Sequence, residues 1–168
     1  MKFVADRMLG KLSRWLRLFG YDTLEIKKQE NEDDLLLKLA EKEDRILISR
    51  DALLIRKAIK KGLGAYDVQS PRIMEQLFEM QSQFNLSFEP KMDRCTLCNS
   101  LIQKIDPSEI EVIRTKEYVH PERLEKWTEF WICDNCGQVY WQGSHWKNIL
   151  ERVNELRNSV SGVAKCSL

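Results

Sequence analysis

Two Cys-x-x-Cys pairs, Cys95/Cys98 and Cys133/Cys136, constrain this 168-residue chain more than any other feature. Each pair puts two sulfurs on one tight turn, and two such turns complete a tetrahedron of thiolates, the ligand set of a structural zinc site. The fold must therefore bring together segments separated by 34 residues. That spacer is longer than a short ribbon needs, so it must carry elements of its own. Residues 101–105, 109–113 and 128–132 read as strands, and Pro121–Lys126 as a turn of helix. Disulfides and a redox-active dithiol are the competing readings, and a reducing compartment disfavours the first. A closed four-thiolate site has no open coordination position, so it is expected to stabilise rather than catalyse, supplying much of the folding energy of a small segment.

The cysteines also mark a change in composition. None precedes Cys95, four of the five tryptophans (Trp127, Trp131, Trp141, Trp146) accompany them, and Glu89-Pro90-Lys91 reads as a linker. The expected organisation is an α/β domain over 1–89, a β-rich zinc segment over 90–148, and a helix and tail over 149–168. Residues 146–158 read as helix, the last ten residues as mobile, and Cys166 as an exposed thiol. The tryptophans either stack on unpaired bases or build the small core, the usual role of aromatics in small domains.

Before residue 89, strand and helix alternate. Lys2-Phe3-Val4-Ala5, Thr23-Leu24-Glu25-Ile26, Arg45-Ile46-Leu47-Ile48-Ser49 and Ala65-Tyr66-Asp67-Val68 suit strands, the third apolar enough to be buried on both faces. Helices are predicted over 7–19, 32–43 (with Asn31 as cap), 52–61 and from Ser70-Pro71 onward. In the first, Met8, Leu9, Leu12, Trp15, Leu16 and Phe19 fall in one arc. Arg7, Lys11, Arg14 and Arg17 lie opposite, with Leu18 the exception. Gly20 and Gly62 supply stops. Such alternation with short connections implies a parallel sheet covered by helices.

In open parallel sheets, function gathers beyond the carboxyl ends of the strands. Asp6 and Asp51 sit at such ends, and Asp33 and Asp34 open a helix that reaches the same edge. Three carboxylates without cysteine or histidine make a hard-oxygen site suited to Mg²⁺ or Mn²⁺, which clamps a phosphodiester and acidifies an attacking water. The structural alternatives are helix capping by Asp6 and Asp51 and dipole compensation by Asp33 and Asp34. The net charge of +1 excludes a polybasic binder but hides a pattern. Residues 1–21 hold five bases against Asp6, 22–44 nine acids against four bases, and 45–61 six bases against Asp51. The basic face of the first helix, with Arg50, Arg56, Lys57, Lys60 and Lys61, is positioned to hold a polyanion, or is simply a solvated face.

The run Lys2-Phe3-Val4-Ala5-Asp6-Arg7-Met8-Leu9-Gly10-Lys11-Leu12-Ser13-Arg14-Trp15-Leu16-Arg17-Leu18 closely resembles the opening of the PIN-like RNase domain found at the C-terminus of the Mut-seven exonucleases. Ile46-Leu47-Ile48-Ser49-Arg50-Asp51 is similar to that family's Thr/Ser-x-Asp strand end. Glu75-Gln76-Leu77, Arg94-Cys95-x-x-Cys98-Asn99 and Val139-Tyr140-Trp141-x-Gly143-Ser144-His145-Trp146 extend the resemblance over about residues 1–148. It implies a PIN-like parallel sheet flanked by helices, an appended zinc ribbon, and metal-dependent cleavage of RNA. By the same resemblance Asp6 and Asp51 are metal-ligating acids and Asp33 is the acid opening the second helix, with Asp34 the other candidate. The fourth acid that such nucleases often carry has no matched position, and Asp67 on the following strand is the candidate for it. Arg7, Lys11, Arg14, Arg17, Arg50 and His145 are expected to contact RNA, the histidine by donating to a phosphate or acting near the scissile bond. His120 reads as a loop residue. No apolar run approaches the roughly 20 residues of a membrane span, and Asp6 and Arg7 come too early for a signal peptide, so a cytoplasmic protein is expected. The alternative to a ribonuclease is a non-catalytic RNA- or ribosome-binding adaptor on the same fold.

Overall fold

The computed structural model describes residues 1–26 and 30–163. Two compact units divide the chain, Met1–Asn99 and Ser100–Leu168.

In the first unit strand and helix alternate as expected: β1 (Lys2–Ala5), α1 (Gly10–Leu18), β2 (Asp22–Glu25), α2 (Glu32–Glu43), β3 (Ile46–Ser49), α3 (Ala52–Lys60), β4 (Ala65–Asp67) and α4 (Ile73–Phe84). The four strands form a parallel sheet in the order β2-β1-β3-β4. In β1 and β3, both flanked by other strands, Phe3, Val4, Ala5, Leu47, Ile48 and Ser49 are buried, which is why these strands read as unbroken apolar runs. Val4 and Leu47 pack with Leu36, Leu37 and Ala40 of α2 and Leu54, Ile55 and Ala58 of α3. The alternate residues turn to the other face, where Phe84 of α4 meets the Phe3 and Tyr66 rings edge-on.

Three local expectations need correction. Residues Arg7–Leu9 form a 3-10 turn ahead of α1, whose tighter winding departs from the 100° step, and Met8 is 67% exposed rather than in the apolar arc. Asn31 precedes α2 in a left-handed conformation and makes no side-chain cap. The last helix of the unit starts at Ile73, with Arg72 in the cap position, because the Ser70 hydroxyl accepts from Arg72 N–H (3.0 Å) in a bend over Pro71.

The second unit contains β5 (Gln103–Lys104), α5 (Glu111–Arg114), α6 (Pro121–Lys126), β6 (Trp131–Ile132), β7 (Val139–Tyr140) and α7 (Ser144–Val163). Its strands form an antiparallel sheet in the order β5-β6-β7. Ile105, Ile113, Val119, Phe130 and Val139 make the core, with Leu124, Trp127 and Trp141 packed against it, so Trp127 and Trp141 serve as core aromatics. Residues 109–113 are helical rather than a strand. Asp106 caps a 3-10 turn by accepting from Ser108 N–H (2.9 Å), with Pro107 in its first turn. The spacing of Ile110 and Ile113 then suits one helical face, leaving Val112 54% exposed. The C-terminal helix begins two residues earlier and runs five residues further than 146–158, to Val163, since the segment contains no proline and no glycine before Gly162. The rest of the expected tail, 164–168, with Cys166, lies outside the described residues. No helix among the described residues is long and apolar enough to cross a membrane.

Candidate active site and metal centre

The strand order locates the sheet's switch point. From β1 the chain crosses to β2 on one side, whereas β3 and β4 lie on the other. The carboxyl ends of β1 and β3 therefore flank the crevice where ligands bind in open α/β sheets. Asp6 follows β1, and Asp51 follows β3 by two residues.

A single hydroxyl joins the two acids. Ser49, fully buried at the end of β3, donates to Asp6 Oδ2 and accepts from the Asp51 backbone N–H (2.9 Å). Asp6 is 8% exposed, and its Oδ1 accepts from Met8 N–H. Asp51 is exposed, and its Oδ1 accepts from Leu53 N–H (2.8 Å) and Leu54 N–H (3.2 Å). Both acids thus cap helical turns, as the structural reading held, and each cap employs one carboxylate oxygen. Ser49 was legible only as part of the Ser-x-Asp strand end; its link to Asp6 depends on β1 pairing with β3.

Asp33, half-buried in the first turn of α2, accepts from Lys57 Nζ of α3 (2.9 Å). The Lys57 ammonium has a raised pKa, first through its hydrogen bond to Asp33 and the charge of that residue, then through the charges of Asp34 and Asp51. One ammonium therefore senses all three acids. Asp67 ends β4 in register with Ser49. Among the described residues no trio of carboxylates converges as closely as the cysteines do.

Around this edge Arg7, Lys11, Arg14 and Arg50 are exposed, and Arg7 pairs with Glu32 (3.6 Å). Arg17 is the correction: at 3% exposure it belongs to the interior, not to the solvated basic face. Its guanidinium donates to the carbonyls of Thr23 (2.8 Å), Thr96 (3.0 Å) and Leu97 (3.0 Å) and faces Glu25 (3.8 Å). Burial lowers its pKa against the opposing charges of Glu25, Cys95 and Cys98. Helical periodicity grouped Arg17 with the other cations because it contains no information about the Cys95–Asn99 turn that covers it.

That turn is tied to the sheet edge by more than Arg17. The Asn99 side chain accepts from Thr23 N–H of β2 (2.9 Å) and donates to Asp22 (2.7 Å), while Arg94 donates to the Asn99 carbonyl (2.9 Å). Arg45 reaches Asp22 from the other side (2.7 Å). Burial alone would raise the Asp22 pKa, but hydrogen bonds from Arg45 and Asn99, with the charges of Arg45 and Arg94, hold it below the ordinary aspartate value. Arg94 and Asn99 stood in the sequence beside the first cysteine pair; their bonding to β2 did not.

The two cysteine turns share one backbone design. Four residues after the first cysteine, Asn99 (φ 71) and Gly137 (φ 72) adopt the left-handed conformation, and each N–H donates to that cysteine's carbonyl, at 2.9 and 2.7 Å. In the first turn Cys98 N–H also points at Cys95 Sγ (3.4 Å). The Sγ atoms of Cys95, Cys98, Cys133 and Cys136 all lie within 4.8 Å of one another, and none is joined in a disulfide. Tetrahedral zinc with Zn–S bonds of about 2.3 Å separates its sulfurs by about 3.8 Å, so this thiol group is able to hold zinc. His145, by contrast, is an exposed residue in the first turn of α7. Nearby Gly143 is required sterically, since a Cβ there would lie 2.6 Å from the Trp141 indole nitrogen.

Compared with known proteins, the chain matches the family model of the Mut7-C RNAse domain over residues 1–153. No curated protein and no solved structure matches the chain. A parallel sheet with acids at its switch point, a Cys₄ group able to hold zinc, and a family model spanning nearly the whole sequence lead to one conclusion: the chain belongs to the Mut7-C RNAse domain family.

Proposed function

We propose that this protein is a metal-dependent ribonuclease that hydrolyses RNA phosphodiester bonds at the carboxyl edge of its parallel sheet. The observation that carries this reading is the Asp6–Ser49–Asp51 linkage at the switch point, with Asp6 buried and Asp51 exposed beside it. Asp6, Asp33 and Asp51 are the acids that would hold Mg²⁺ or Mn²⁺, with Asp34 and Asp67 as the further candidates, since oxygen donors alone suit these hard cations. When bound, such an ion polarises the phosphodiester and lowers the pKa of the attacking water. Ser49 orients the Asp6 carboxylate, and the Asp51 cap sets the start of α3. Lys11, Arg14 and Arg50 supply exposed positive charge for the RNA backbone, and among the described residues none of them forms an ion pair. The Cys₄ group serves as a structural zinc site.

The adaptor reading has its own support: the acids are engaged as helix caps and, for Asp33, in the pair with Lys57. Incubation of the protein with single-stranded and structured RNAs in Mn²⁺, beside Asp51→Asn, separates the two. Cleavage by the wild type, reduced at least 100-fold in the variant, supports the nuclease. Equal RNA binding by both proteins with no cleavage by either supports the adaptor.

A further inference from the structure

The second unit contains a groove of about 550 Å³ between α6 and the start of α7, within the range of sites that hold nucleotide-sized ligands. Its walls carry three exposed cations: Arg123 and Lys126 from α6, and Lys147 from α7. Half-buried Trp127 and Trp146 and exposed His120 also line it, against a single acid, Glu122. Two of the cations are placed by indoles. The Arg123 guanidinium lies 5.1 Å from the Trp141 ring centroid, and Lys126 Nζ lies 5.5 Å from that of Trp127. A cation held over a ring keeps its N–H donors for other partners. Among the described residues, Arg123, Lys126 and Lys147 form no ion pair with a carboxylate.

Unneutralised positive charge around an aromatic wall is complementary to one chemistry: a planar base joined to phosphate. Single-strand binders combine the same elements, a basic groove for the backbone and aromatic rings for the bases. An acidic peptide would satisfy the cations but make no use of Trp146. We propose that this groove seats an unpaired nucleotide of an RNA strand, its base against Trp146 and its flanking phosphates on Arg123, Lys126 and Lys147. The proposal rests on the reading that the protein acts on RNA and assigns part of the strand to a place outside the acidic edge. His145 does not line this groove.

The test uses the zinc-loaded 168-residue chain and a fluorescent single-stranded oligoribonucleotide, without Mg²⁺ or Mn²⁺ so that the RNA stays intact. Lys126→Ala/Lys147→Ala, both at exposed positions, should weaken binding at least 10-fold and reduce the slope of log affinity against log salt by about 1.5. Trp146→Ala should weaken it roughly 5- to 150-fold with little change in slope, as loss of one stacked base does. Circular dichroism and zinc content confirm that the variants fold. In Mn²⁺, the lysine variant should cleave RNA with raised KM and unchanged kcat, the signature of lost uniform binding. Groove variants that bind and cleave like a cleaving wild type overturn this proposal alone; a wild type that neither binds nor cleaves RNA overturns it together with the nuclease reading. Polyglutamate competing as well as RNA of equal charge, or a mononucleotide binding more tightly than the oligomer, would each overturn the strand assignment.

Discussion

In Met1–Asn99 the buried side chains come from β1, β2, β3 and all four helices of an alternating sheet. In Ser100–Leu168 the core cluster is Ile105, Ile113, Val119, Phe130 and Val139, Val153 and Leu156 are also buried, and the strands are two residues each. Small segments with short strands and few buried side chains depend on cross-links, and a four-thiolate metal site is one of these. The contrast shows where this chain relies on periodic apolar sequence and where it relies on a few ligands at fixed spacing.

Zinc removal should sharpen the contrast between the units most. Apparent zinc binding in small ribbon-like domains amounts to about 10–16 kcal/mol, so a strong chelator or Cys133→Ser should unfold much of 100–157. Limited proteolysis read by mass spectrometry should then find cuts across that stretch while 1–90 stays protected. Equal protection with and without zinc would remove the basis of the comparison.

A smaller effect is expected from Arg17→Met. The substitution preserves apolar bulk but leaves the carbonyls of Thr23, Thr96 and Leu97 without this donor. Of these residues only Thr23 is fully buried, Thr96 being half-buried and Leu97 exposed, so at about 1–3 kcal/mol per buried group left unsatisfied the variant should lose about 2 kcal/mol in urea unfolding. It should also yield zinc to a chelator faster, because its guanidinium holds the Cys95–Asn99 turn. Unchanged stability and zinc release would reduce Arg17 to a tolerated interior cation.

The smallest change is expected in the acid limb of stability. The folded-state pKa of Asp22 is depressed, so its contribution is complete above the ordinary aspartate value of about 3.9 and is lost as pH falls through the folded value. Asp22→Asn should cost about 1.5 kcal/mol at pH 7 and flatten the decline below about pH 4. A decline as steep as the wild type's would place the acid sensitivity elsewhere.

Much of this was legible because it is local. The α2 span, the Gly62 stop and the buried run of β3 follow from periodicity and end signals within one element. The cysteine spacing alone required two distant turns to meet. The misreadings arose where a partner far along the chain, or a nearby cap, decided the outcome. Arg17 is buried on α1 because β2 and the Cys95–Asn99 turn cover the side that periodicity assigned to solvent. At 109–113, alternating apolar residues resembled a strand, but Asp106 and Pro107 had already started a helical turn.

The candidate site divides in the same way. By itself the sequence determined that Asp6 and Asp51 stand just beyond strands, that α2 opens with acids, and that four cysteines are spaced for zinc. Only the tertiary structure decided that β1 lies beside β3, so that the switch point falls between Asp6 and Asp51 and one buried serine hydroxyl joins them. The physical reason is range. Caps, periodicity and turns act over a few residues, whereas strand order is settled by pairing and burial between segments more than 40 residues apart.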